Sequence, residues 1–460
     1  MTAVDSRSQS PVTFPTGNIP GACPDRAGCV ESARGGRTLF DIEASLRRLL
    51  HRPLTVIAVL AVLGAGVWAV AQPALQLSAS CSPGYGYAAT CGNAYTPLVP
   101  TRLLDTRLTG QTLGPNSSLN LTVTGGSVPS NATAVSLNVT VTNTTDSSYL
   151  SVYPAGGSRP FVSNLNWVTG ETVPNAVIVP VGSNGQVTIY NHTGKTDVVV
   201  DLEGYFAPQS TSSTAGAYVP LTPARIDTGT IVGAGGSTNV QVAGVGGVPA
   251  GATGAILNVT VTDTTAASFA TVYPQGAPRP TASNLNWPAG GTVANRVLAP
   301  LGSSGQITVF NHAGSADVIV DVSGYFTNGT ATLPSNASYY NPVTPARITD
   351  TRANSGYPNA GSTLGAGSTL PVQVVGTAGI PSGAAAAVLN VTAVDTTAAS
   401  FFTVYPGGVR PFTSDVNWMA GQVVPNLTVA TLSGSGTISV YNHAGSADLV
   451  VDAFGYFSPA

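Results

Sequence analysis

Val135-Ser136-Leu137-Asn138-Val139-Thr140-Val141-Thr142 alternates apolar and polar residues over eight positions. A period of two places one set on each face of a pleated strand, and no helix accommodates it. Leu119, Leu121 and Val123 alternate with Asn120, Thr122 and Thr124 in the same way, and Val198, Val200 and Leu202 continue the pattern downstream. Roughly eight such segments, separated by Gly, Pro or Asn turns, fit into about 110 residues. Helical periodicity of useful length is absent. This pattern predicts an all-β chain of β-sandwich domains, jelly-roll-like or alternatively immunoglobulin-like.

The pattern returns three times. Ser163-Asn-Leu-Asn-Trp167 recurs as Ser283-Asn-Leu-Asn-Trp287 and as Ser414-Asp-Val-Asn-Trp418, with tryptophans 120 and 131 residues apart. Asn191-His192, Asn311-His312 and Asn442-His443 keep the same intervals. Each copy opens with Tyr, then Pro and Arg, then Asp-Thr. Each closes alike, on Asp201-Leu-Glu-Gly-Tyr-Phe206, Asp321-Val-Ser-Gly-Tyr-Phe326 and Asp452-Ala-Phe-Gly-Tyr-Phe457. Self-similarity at this period defines the domains. The copies span 95–208, 218–327 and 340–459, after a tail at 1–52, an apolar segment at 53–77 and a Cys-containing linker at 78–94. Short polar joints at 209–216 and 328–338 read as flexible linkers. The extra length of the third copy falls in a Gly/Ser/Asn loop at 353–367. Each copy is large enough for its own core, so beads on a string is the expected organisation.

The Pro-x-Arg…Asp-Thr-Arg opening, the Leu-Asn-Val-Thr strand, Val-Tyr-Pro, Asn-Leu-Asn-Trp and Asp-x-x-Gly-Tyr-Phe together resemble tandem repeats of actinobacterial secreted and surface proteins. The resemblance covers nearly everything after residue 94. It implies an exported β repeat, found alone or beside hydrolases, and carries no assigned activity.

Composition supports export and narrows function. Charged residues make up 8% of the chain, while hydrophobic residues, many β-branched, make up 43%. That balance argues for packed strands rather than disorder. Residues 54–71 are uncharged and mostly apolar; Arg47, Arg48 and Arg52 precede them, and no charge follows until Arg102. The positive-inside rule then keeps the N-terminus cytoplasmic and sends the repeats outside or to the cell surface. The run is short for a spanning helix, and Ala69-Val70-Ala71 has the form of a signal-peptidase site. A cleavable signal and an uncleaved membrane anchor both stay open. Cys81 and Cys91 follow the run and would form a disulfide in an oxidising exterior. Beyond Ala71 ten basic residues face fifteen acidic ones, and no basic patch interleaves with aromatics, so nucleic acid is not an expected partner.

Motifs for chemistry are sparse. Asp227-Thr-Gly-Thr230 has the aspartic-protease form, but that chemistry needs two carboxylates, and the sister copies read Asp105-Thr-Arg107 and Asp350-Thr-Arg352. The lone His192, His312 and His443, one per copy on a turn, lack a second ligand at metal-binding spacing. No catalytic residue, metal or cofactor is therefore expected. The charges that do recur are Arg102, Asp105 and Asp201, with counterparts Arg225, Asp227, Asp321 and Arg347, Asp350, Asp452. They read as a partly buried cluster that closes each sandwich. Candidate ligand contacts are Trp167, Trp287 and Trp418 with Asn166, Asn286 and Asn417, joined by the three histidines. A surface tryptophan beside an amide suits stacking on a sugar, although a lone Trp in a sandwich also serves as core. The sequence thus predicts a non-enzymatic exported protein whose repeats bind a polysaccharide or cell wall. A structural spacer or envelope component is the alternative.

Overall fold

The computed structural model describes residues 92–209 and 213–459. The expected signal or anchor segment and the Cys81–Cys91 disulfide lie outside the described residues. Among the described residues no helix is long and apolar enough to cross a membrane.

The first repeat has eight strands: β1 (Asn93–Asp105), β2 (Ser117–Thr122), β3 (Ala134–Thr142), β4 (Ser148–Pro154), β5 (Leu165–Trp167), β6 (Val173–Pro180), β7 (Gln186–Asn191) and β8 (Asp197–Pro208). A single helical turn, α1 (Thr106–Thr109), follows β1 and closes on Gly110 at φ 69°. Antiparallel pairs join β1 to β8, β2 to β7, β3 to β6 and β4 to β5. This is one long ribbon of four strand pairs rolled into two sheets, β1-β8-β3-β6 inside and β2-β7-β4-β5 outside. The order is that of a jelly roll, which decides between the two sandwich topologies. Repeats 2 and 3 pair in the same order. Between the sheets of each repeat lies a core of alternate side chains such as Val135, Leu137, Val139, Val187 and Ile189.

The polar side of β3 does not meet water. Ser136, Asn138 and Thr140 are as buried as the valines between them, because the inner sheets of the three repeats pack on one another. Asn138 Nδ2 donates to the Ser283 carbonyl at 2.7 Å, Asn258 Nδ2 to Ser414 at 2.6 Å, and Asn390 Nδ2 to Ser163 at 2.7 Å. The ring closes. A second ring runs beside it: Asn295 Nδ2 donates to Asn138 Oδ1, Asn426 Nδ2 to Asn258 Oδ1 and Asn175 Nδ2 to Asn390 Oδ1, at 2.8–3.0 Å. Six buried amides are thereby paired across three boundaries, which is the condition for burying them at all.

At the same centre six aromatic rings form a closed circuit: Tyr95, Phe206, Tyr340, Phe457, Tyr218, Phe326 and back to Tyr95. Neighbouring centroids lie 4.3–5.8 Å apart. Here the opening Tyr and closing Gly-Tyr-Phe of every repeat find their reason. A Cβ at Gly204, Gly324 or Gly455 would stand 2.3 Å from an atom of Tyr95, Tyr218 or Tyr340 respectively. Only glycine lets the tyrosine ring lie flat against the strand.

Independent beads are therefore not what forms. The three repeats share a core that includes Ala134, Ile178, Ile256, Leu298, Val388 and Val429, one pair or more from each. The second joint is packed as well: Leu333 rests on the core of repeat 2 and Ala337 is buried. Asn93 pairs with Tyr340, and Ser338 pairs with Pro459, so both ends of the described chain meet one strand of repeat 3.

Candidate ligand-binding clefts

Trp167, Trp287 and Trp418 are 3%, 4% and 2% exposed and belong to the cores between the sheets. The expectation of open stacking platforms is corrected by this. The alternation that carries Leu165 inward carries Trp167 inward too, and Asn166 between them points away. Asn166, Asn286 and Asn417 are consequently half-buried and reach the clefts instead.

The three histidines are exposed and fixed by stacking. His192 lies 4.7 Å from Tyr149, His312 4.7 Å from Phe269 and His443 4.7 Å from Phe401. One strand further, Arg159, Arg279 and Arg410 sit 4.0, 3.8 and 4.0 Å over Tyr190, Phe310 and Tyr441. Each outer sheet thus presents a His–aromatic–aromatic–Arg surface. The three arginines recur with Arg-Pro in the sequence, and in a chain so poor in charge that recurrence was a readable signal.

The charge cluster forms as expected in two repeats. Arg102 grips Asp201 through Nε at 2.5 Å and Nη2 at 3.3 Å, and reaches Asp105 at 3.2 Å. Arg107 holds Asp105 with Nε at 2.8 Å and Nη2 at 2.6 Å. In repeat 3 Arg347 makes the same set with Asp452 and Asp350, and Arg352 closes on Asp350 at 3.0 and 2.6 Å. Repeat 2 departs. Arg225 pairs with Asp321 at 2.9 Å, but Asp227 turns away to the backbone N–H groups of Gly229 and Thr230. Gly229 stands where the sister copies have the second arginine, so Asp227 is not part of a cluster. The Arg107 bonds hold the Asp105 carboxyl below its ordinary range. Burial pushes Asp350 upward, yet the Arg352 bonds outweigh it and keep that group low as well. Burial prevails at Asp201, Asp321 and Asp452, which lie above the ordinary range despite their arginines.

The clusters do more than close their own sandwiches. Ser163 N–H of repeat 1 donates to Asp452 of repeat 3 at 3.4 Å, so the repeat 3 cluster abuts the outer sheet of repeat 1. Between them opens a cleft of about 570 Å³, walled by Tyr149, Phe161 and Asn166 on one side and by Arg347, Asp350, Arg352 and Tyr357 on the other. Phe161 is 85% exposed. Tyr357 comes from the 353–367 insertion, which is pinned by Ser355 Oγ donating to the Asp350 carbonyl at 2.7 Å and by Gly361 N–H donating to Thr351. Repeats 1 and 2 have no such insertion, and Thr281 replaces Phe161 in repeat 2. The repeat 3–repeat 1 boundary alone combines both arginines with three aromatic rings. Sequence reading missed Tyr149, Phe161, Arg352 and Tyr357 as partners, because nothing local says that residues some 190 apart share a wall.

A second cavity, of about 590 Å³, opens where the starts of the sixth strands of all three repeats converge. Asn286, Asn417 and Trp287 belong to its wall. Among the described residues no group of three or more His, Cys, Asp or Glu is arranged to hold a metal ion.

No family model matches the chain, and no curated protein matches it either. Among solved structures the chain is similar to one from Sulfolobus turreted icosahedral virus, at 12% identity over 79% of this chain and 91% of that one, with a TM-score of 0.16. A likeness that loose carries no argument.

Proposed function

We propose that this is a non-enzymatic exported protein that binds glycan, of the cell wall or of the surroundings, at the cleft between repeats 3 and 1. The observation that carries the reading is the union of two features there. Phe161, Tyr149 and Tyr357 offer ring faces for the apolar face of a sugar, and Arg352 and Asn166 offer hydrogen-bond donors from positions fixed by Asp350 and Ser163. Asp350 has both oxygens engaged by arginines, so it orients those donors rather than abstracting protons. The exposed His192 extends the same surface from behind Tyr149.

The spacer reading is disfavoured by where the two ends of the repeat region lie. Asn93 and Pro459 pair with residues of one strand only two positions apart, which places them within roughly 15 Å of each other. Three domains folded back in this way add little reach. A glycan array probed with the protein tests the proposal: retention on a defined set of polysaccharides is expected, and it should be lost in Phe161→Ala/Tyr357→Ala. Uniform absence of retention would sink it.

A further inference from the structure

Six of the nine arginines among the described residues hold a carboxylate. The other three, Arg159, Arg279 and Arg410, make no ion pair and no hydrogen bond among the described residues, and they occupy the same place in each repeat. Each guanidinium instead lies 3.8–4.0 Å over the centre of a ring on the seventh strand of its repeat. Arg159 and Arg279 are exposed and Arg410 is half-buried. On the same sheet the exposed histidine of each repeat stacks on a ring of the fourth strand, with the planes within 24° of parallel.

Folding alone is a weak reason for this arrangement, because a cation over an exposed ring contributes little to stability. Neighbouring features have drifted between the copies. Repeat 2 has Gly229 for the second cluster arginine and Thr281 for the exposed phenylalanine, and Ser315 and Ser446 replace Lys195. Arg279 and Arg410 stay. What recurs three times is a guanidinium held flat, with its in-plane N–H groups unspent, on the same face as a stacked pair of rings. Every other described arginine is neutralised, so positive charge is left over on these faces.

A stacked guanidinium presents its N–H fork sideways, a geometry that matches the two oxygens of a carboxylate. A ring face accepts the apolar face of a sugar. An acidic sugar carries both groups on one residue. We infer that each outer-sheet face is a binding site for a uronate residue of an acidic polysaccharide, the carboxylate on the arginine and the sugar ring against the histidine stack. The faces of repeats 2 and 3 share no residue with the outer cleft between repeats 3 and 1, so these sites are additional to it. Three of them on one body engage a polymer multivalently.

Affinity electrophoresis of the full chain tests this, in native gels containing polygalacturonate or its fully methyl-esterified form. Phe161→Ala/Tyr357→Ala serves as the background, so that the outcome does not depend on the outer cleft. Polygalacturonate should retard that protein, and the ester, which keeps the sugar rings and loses the charge, should not. Adding Arg159→Gln/Arg279→Gln/Arg410→Gln should lower the affinity roughly tenfold or more, the worth of a charge-assisted hydrogen bond, with an unchanged far-UV spectrum. Lys195→Gln, which removes an exposed charge that no ring holds, should leave the affinity unaltered. Absence of retardation by polygalacturonate, equal retardation by the ester, or retardation that survives the triple substitution would overturn the inference.

Discussion

Arg296 of repeat 2 and Asp415 of repeat 3 form an ion pair at 2.6 Å across their boundary, with both side chains buried. The neighbouring boundaries carry different chemistry at these positions. Ala176 and Leu427 stand in place of the arginine, and Asn164 and Asn284 in place of the aspartate. Asn284 instead donates to the buried Glu203 of repeat 1 at 2.9 Å. Three near-copies thus meet at three distinguishable seams, and mispairing would bury a charge without its partner.

Removing one member of that pair should be costly. Asp415→Ala leaves the Arg296 guanidinium stranded and should destabilise the protein by about 3–5 kcal/mol in urea unfolding. Arg296→Leu/Asp415→Asn, which restores what the sister repeats carry, should be close to neutral. A double variant as unstable as the single one would show that the seam depends on the charges themselves.

A separated repeat should not behave as a stable monomer. Residues 218–327 alone would expose Tyr218, Ile256, Leu298 and Phe326, all buried in the assembled protein. Sedimentation of that fragment is expected to show self-association or an unfolded chain, and the whole protein should melt in one transition. A monomeric fragment with a cooperative melt would mean that the shared centre is dispensable.

Gly324→Ala tests the aromatic circuit. Its new methyl would fall 2.3 Å from the Tyr218 ring, and overpacking of this kind typically costs about 1–3 kcal/mol. The melting temperature should drop by several degrees. Gly290→Ala, at φ 74° with nothing within 4 Å, supplies the comparison: backbone strain without a clash.

Stability should depend on pH through Glu203. Burial raises its carboxyl from 4.5 to about 8. Between those values the folded state keeps a proton that the unfolded state gives up. Stability therefore falls as pH rises through that window, by up to about 1.4 kcal/mol per unit, and levels off above it. Glu203→Gln should be more stable than the parent at pH 8 and show a flatter profile from pH 5 to 8. An unchanged slope would mean that other groups set it.

The strands, their number and the threefold repetition were legible because period-two alternation and recurring motifs are local signals. The jelly-roll order was an expectation that strand pairing then decided. The assembly was not legible. Ser136, Asn138 and Thr140 have the composition of a solvent-facing strand side, and a paired amide at a boundary looks the same in sequence as one in water. Trp167 drew attention as a platform because aromatic chemistry suits sugars, yet its place in the alternation with Leu165 already assigned it to the core. The outer cleft escaped for a different reason: Phe161 and Tyr357 belong to separate repeats, and only closure of the ring brings them together.

Closure of that ring is what forms the outer cleft, so sedimentation with an insoluble glycan is the direct test of the proposed binding. Purified cell wall should sediment the wild-type protein and should fail to sediment Phe161→Ala/Tyr357→Ala, with the two proteins sharing one melting temperature. Equal sedimentation of both, or of neither, would contradict the account.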